Sequence, residues 1–139
     1  MNRNEIEKIL PHRENMLLLD EAKLNSDGTA CGKLKIKGDE WFLKGHFPEN
    51  PIVPGVILCE IMAQSCCVCL SDEIDENKLT FFSGLNNVKF KKPVKPGDLF
   101  ETRCSIKRVH KPFYFAEGKG YVDGKLCVSA EFSFALVDK

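Results

Sequence analysis

No stretch of this 139-residue chain approaches the roughly 20 consecutive apolar residues that span a bilayer as a helix, so a helical membrane protein is excluded. The opening segment, MNRNEIEKILPHR, lacks the apolar core of a secretory signal. An excess of charge is missing too. Twenty Lys and Arg offset twenty Asp and Glu, so no global field points to nucleic acid or to an anionic membrane. Linkers, internal repeats and low-complexity tracts are absent, and the length suits one domain over residues 1–139 with a single core. Cysteine is not scarce, but its number is odd. Seven (31, 59, 66, 67, 69, 104 and 127) argue against a disulfide framework and for a reducing cytoplasm. Cys66, Cys67 and Cys69 fall within about one helical turn and point in different directions, so no metal site is expected from them.

What is present alternates between two periods. Residues 4–9 read as a short helix stopped by Pro11, and Met16–Asp20 as a short apolar strand. Asn25-Ser-Asp-Gly28 is a turn signal, after which Ala30, Gly32, Leu34 and Ile36 alternate with lysines as in a half-buried strand. Pro54–Leu70 is apolar nearly all round and too long for a strand, which predicts a buried helix. Pro54 suits its first turn, where a missing N–H costs nothing. Residues 71–78 form an acidic loop. Strands are then expected over 82–90, 100–107, 113–122 and 128–136, with Asp123-Gly124 as a hairpin turn. One all-round apolar helix with five or six antiparallel strands predicts an α+β domain, a curved sheet wrapped around that helix.

Three residues could carry chemistry. Glu60 lies in the apolar helix, where burial favours the protonated acid and so a proton donor near neutrality. A solvated position on the helix edge is the bland alternative. Gln64 lies one turn on and could orient Glu60 or a water. His46 sits on a loop stiffened by Pro48, Pro51 and Pro54, and a neutral imidazole can act as a base near pH 7. Gly55, in the first helical turn, could bring an unpaired N–H to a carbonyl oxygen, or could serve packing alone. The lysines at 89, 91, 92 and 95, and the cluster Lys107, Arg108, His110 and Lys111, read on composition as solvated basic loops.

The chain resembles the (3R)-hydroxyacyl-ACP dehydratases of the FabZ type, which have the hotdog fold. The resemblance runs nearly end to end, through Leu10-Pro-His-Arg13, Gly45-His-Phe-Pro48, Pro54-Gly-Val56, Glu60-Ile-Met-Ala-Gln64, Phe82-Ser-Gly84, Phe90-Lys-Lys-Pro-Val94, Pro96-Gly-Asp98 and Val122-Asp-Gly-Lys125. It implies that His46 is the base, its other ring nitrogen held by the Ile52 carbonyl, that Glu60 is the acid, and that the Gly55 N–H polarises a thioester carbonyl. It implies a homodimer whose two catalytic side chains come from opposite subunits, in a family where trimers of dimers also occur. It also implies acyl carrier protein as partner, docking on Lys107, Arg108 and Lys111, and no metal or nucleotide cofactor. Two positions depart from the pattern. Glu14-Asn15-Met16 stands where the family has Tyr/Phe-Pro-Phe, and Phe81 replaces a tyrosine that gates the acyl tunnel. The alternatives are a hotdog thioesterase, which activates water against the carbonyl, and a non-catalytic homologue that binds acyl chains or the carrier.

Overall fold

The computed structural model describes residues 1–75 and 77–139. The expected acidic loop over 71–78 therefore includes one position, 76, outside the described residues. The elements run α1 (Arg3–Ile6), β1 (Glu21–Leu24), β2 (Ala30–Lys35), α2 (Gly55–Cys67), β3 (Lys78–Phe90), β4 (Leu99–His110), β5 (Phe113–Val122) and β6 (Lys125–Asp138). Short 3₁₀ turns occupy Trp41–Leu43 and Val68–Leu70. The strands form one antiparallel sheet in the order β1-β2-β4-β5-β6-β3, with α2 packed mainly on β4 and β5.

The period-2 reading of the strands holds at the core face. Phe100, Thr102 and Cys104 of β4, and Val128, Ala130, Phe132 and Phe134 of β6, are buried. Glycine on β5 lets Phe100 and Val128 pack directly on its backbone, because a methyl at Gly120 would run into the Phe100 ring and lie 2.9 Å from Val128. Thr102 is the buried polar exception, and its hydroxyl donates to Ser65 Oγ (2.7 Å), which in turn donates to the Ile61 carbonyl (3.0 Å). The two hydroxyls buried between α2 and β4 are thus paired with each other. Bulges between Phe82 and Gly84 and between Asn86 and Lys89 bend β3, the edge strand.

Two expectations are corrected. Met16–Asp20 is not a strand. Leu17, Leu18 and Leu19 are buried, but their backbone is held by local turns and by side chains, Arg3 donating to the Leu17 and Leu19 carbonyls. The strand comes one step later, at β1, since a short apolar run does not by itself distinguish a ladder from a buried loop. The long helix ends at Cys67, so Cys69 lies in the 3₁₀ turn that follows. All seven cysteines are free thiols, and burial pushes the Cys67 and Cys69 thiols up to about 12. Cys66 and Cys69 have a Cys-x-x-Cys spacing, yet no metal-holding group of side chains forms among the described residues.

Candidate active site

His46 follows the 3₁₀ turn, its N–H bonded to the Leu43 carbonyl (3.2 Å). Gly45 has φ +77° and Phe47 φ +53°, a conformation that costs a bulky L residue energy and that the surrounding fold must enforce. The bend turns the imidazole back onto the chain, where Nδ1 lies 2.9 Å from the Ile52 carbonyl oxygen. A carbonyl only accepts, so Nδ1 carries the proton and Nε2 keeps a free lone pair. The ring is half-buried against Phe47, with centroids 4.4 Å apart. That is a fixed tautomer and a fixed aim, which a general base requires.

Ile52 and Gly55 belong to the same place. The N–H groups of Ile57 and Leu58 close onto the Pro54 carbonyl, and the Gly55 N–H has no acceptor among the described residues. His46, Phe47, Ile52, Gly55, Phe90 and Lys92 help to line a cleft of about 650 Å³ at this positive end of α2. The alternative of packing glycine is also met here. A Cβ on Gly55 would fall 2.7 Å from the Phe90 ring, so the missing side chain admits that ring to the helix. Lys91 and Lys92 complete the rim, and composition alone had left them as solvated loop residues. Their signal was positional, since they follow the phenylalanine that packs on Gly55.

Glu60 is not among the residues lining this cleft. Its side chain is 25% exposed, so the desolvation expected of an all-apolar helix is only partial. It is nonetheless held. Gln64 Nε2 donates to Glu60 Oε1 at 3.2 Å, and His12 Nε2 lies 3.4 Å from the same oxygen. Gln64 itself is 1% exposed, accepting from the Leu18 N–H (2.9 Å) and donating to the Met16 carbonyl (2.8 Å). Gln64, expected to orient Glu60 or a water, lies in hydrogen-bond contact with Glu60. Sequence reasoning does not find His12 as a partner of Glu60, because it lies 48 positions earlier, before β1, β2 and the loop that leads into α2.

One chain therefore holds two half-constellations: His46 with Ile52 and Gly55, and Glu60 with Gln64 and His12. The other expected residues lie outside both. Phe81 is exposed on the edge strand β3. Lys107 and Arg108 are at the far end of β4, Arg108 stacking over the Phe115 ring at 4.2 Å. Lys111 follows on the β4–β5 turn.

A family profile described as a FabA-like domain matches residues 10–131. The chain is 38% identical to the 3-hydroxyacyl-acyl-carrier-protein dehydratase FabZ of Staphylococcus saprophyticus, over 98% of this chain and 95% of that protein. It is 39% identical to the FabZ of Natranaerobius thermophilus, over 98% and 97% respectively. Among solved structures, a dehydratase heterocomplex, ApeI:P, from Xenorhabdus doucetiae superposes with a TM-score of 0.83 at 20% identity, covering 96% of this chain and 91% of that one. The fold is the hotdog fold, with its sheet curved around one main helix.

Proposed function

Since the chain belongs to the FabA-like family, within its FabZ-type dehydratases, we propose that it removes water from (3R)-3-hydroxyacyl thioesters carried on acyl carrier protein. The product is the trans-2-enoyl thioester of fatty acid biosynthesis. His46 Nε2 takes the proton from the α-carbon, and the electron pair of that C–H bond becomes the new C=C bond. Glu60 gives its proton to the 3-hydroxyl as the C–O bond breaks, and water leaves. The Gly55 N–H, at the helix's positive end, stabilises negative charge on the thioester oxygen while the α-proton is in transit. The observation that carries this reading is the tautomer of His46. With Nδ1 bonded to the Ile52 carbonyl, a bare Nε2 is left in the cleft that Gly55 also lines.

The acid and the base come from two subunits of a homodimer in this reading. Glu60 is missing from the His46 cleft, and β3 offers an open edge on which Phe81, Phe82, Leu85 and Phe90 stand 56%, 43%, 40% and 56% exposed. Such an edge calls for a partner strand. The carrier protein, being acidic, docks on Lys107, Arg108 and Lys111. Phe81 borders the acyl tunnel. Seven unpaired thiols suit a reducing cytoplasm.

Incubation with a 3-hydroxyacyl thioester and, separately, a 2-enoyl thioester tests the reading. Reversible change in enoyl absorbance is the expected result. Release of free thiol would mean thioester hydrolysis, and neither signal would mean a binding protein. Glu60→Gln and His46→Ala should each abolish turnover, and subunit exchange between the two dead variants should restore part of it. Near-normal rates in either variant remove that residue from the mechanism.

A further inference from the structure

The constraint on Glu60 starts from a backbone that carries no chemistry. The Leu18 N–H can only donate, so it selects the oxygen end of the Gln64 amide. The Met16 carbonyl can only accept, so it selects the nitrogen end. The remaining N–H of that nitrogen is then aimed at Glu60 Oε1. His12 reaches the same oxygen from the Leu10-Pro-His-Arg13 segment, with Nε2 at 3.4 Å. Its other ring nitrogen, Nδ1, is buried without a partner among the described residues.

We propose that His12 is a positioning residue that, with Gln64, holds Glu60 Oε1 as an acceptor, so that the transferable proton sits on Oε2. The inference rests on the reading of Glu60 as the acid of the dehydration. The tautomer follows from the orphaned nitrogen. A proton on Nδ1 would place an N–H in the interior with no acceptor, and would turn a lone pair toward an oxygen that already accepts from Gln64. A proton on Nε2 avoids both. His12 and His46 therefore hold opposite tautomers, Nε2–H in the first and Nδ1–H in the second.

The arrangement acts where charge develops. As the Glu60 Oε2–H bond breaks and its proton passes to the departing hydroxyl oxygen, the carboxylate left behind is met on Oε1 by two N–H donors already in place. At 3.2 and 3.4 Å these contacts are long. Charge-assisted bonds to a carboxylate are shorter, about 2.7–2.9 Å. The contacts therefore strengthen toward the transition state more than they help the ground state, which accelerates the step. Burial pushes the nearby Cys67 thiol up to about 12, so it stays protonated and adds no charge beside Glu60. Nδ1 of His12 has no route onward, so the ring orients the acid and does not relay its proton to solvent.

Two measurements on the assembled protein test this. In the kinetic arm, His12→Leu removes the donor, while His12→Gln keeps an N–H the same number of bonds from Cβ. His12→Leu should lower kcat by about 10- to 100-fold with KM within about threefold, as for a misplaced catalytic group. His12→Gln should recover most of the rate. His12→Phe replaces Leu if the smaller side chain prevents folding. Equal loss in the Gln variant and the donor-free variant, or native kcat without the donor, overturns the proposal. In the second arm, ¹⁵N spectra of labelled imidazoles read the tautomers of the three histidines, assigned from single variants. Nε2–H at His12 is expected, and Nδ1–H there overturns the proposal. If the wild-type protein does not dehydrate the thioester at all, the reading of function fails, while the spectra still judge the His12–Glu60 contact on their own.

Discussion

Replacing Gln64 by leucine probes the link between the buried loop and the acid. Gln64 is fully enclosed, and its amide satisfies the Leu18 N–H and the Met16 carbonyl at 2.9 and 2.8 Å. Leucine fills a similar volume and satisfies neither. Each buried group left without a partner costs about 1–3 kcal/mol. Burying leucine in place of an amide offsets about 1–2 kcal/mol of that. At mid-range values, about 4 kcal/mol for the two groups against about 1.5 for the leucine, the net expectation is a loss of about 2–3 kcal/mol. At roughly 3–5 °C per kcal/mol for a domain of this size, Tm should fall by about 6–15 °C. Glu60 Oε1 would lose its best-placed donor, so kcat should fall as well, with KM changed little. Circular dichroism melting at fixed protein concentration, paired with the enoyl absorbance assay, reads both effects. A Tm within 2 °C of wild type together with an unchanged kcat would refute the hydrogen-bond reasoning.

Gly120→Ala should cost about 1–3 kcal/mol of stability, read as a lower urea midpoint at constant m, because the new methyl meets the Phe100 ring and Val128 in a filled core; an unchanged midpoint would mean that β5 shifts freely. Reversing charge at Lys107 and Arg108 should raise KM for carrier-bound substrate several-fold while leaving a carrier-free thioester unaffected. The difference should shrink in 0.5 M salt, and equal effects on both substrates would place docking elsewhere. Burial raises the Cys59, Cys66, Cys67 and Cys69 thiols, so at pH 8 each carries less thiolate than a free cysteine does. Iodoacetamide should therefore leave these four unlabelled in the native fold and label them in urea, as read by peptide mass spectrometry. Native labelling at Cys67 would contradict its burial.

Much of this was legible in order along the chain. Alternation located β2, β4, β5 and β6, because one face of each meets α2 and a half-buried strand must alternate. The helix was legible from its length and its lack of a polar face. The loop around His46 was legible from its prolines. Two things were not. The segment 16–20 carries strand-like residues, yet the Met16 and Leu17 amides close a local turn, the Leu18 amide goes to Gln64, and the Asp20 amide alone reaches the Lys33 carbonyl on β2; such pairing leaves no periodic trace. The partnership of His12 with Glu60 spans 48 positions and depends on how the first loop lies across α2. A motif such as Leu10-Pro-His-Arg13 marks that something is needed there without saying which atom it serves.

The departure at Glu14-Asn15-Met16 falls on the clamp that holds Gln64. What Gln64 reads there is the Met16 main-chain oxygen and, two residues on, the Leu18 amide. Peptide groups are common to every residue, so side chains in this segment can drift in evolution while the lever on the acid stays intact. By the same logic, insertion or deletion of a single residue between positions 13 and 18 should be far more damaging than any exchange of side chains within it.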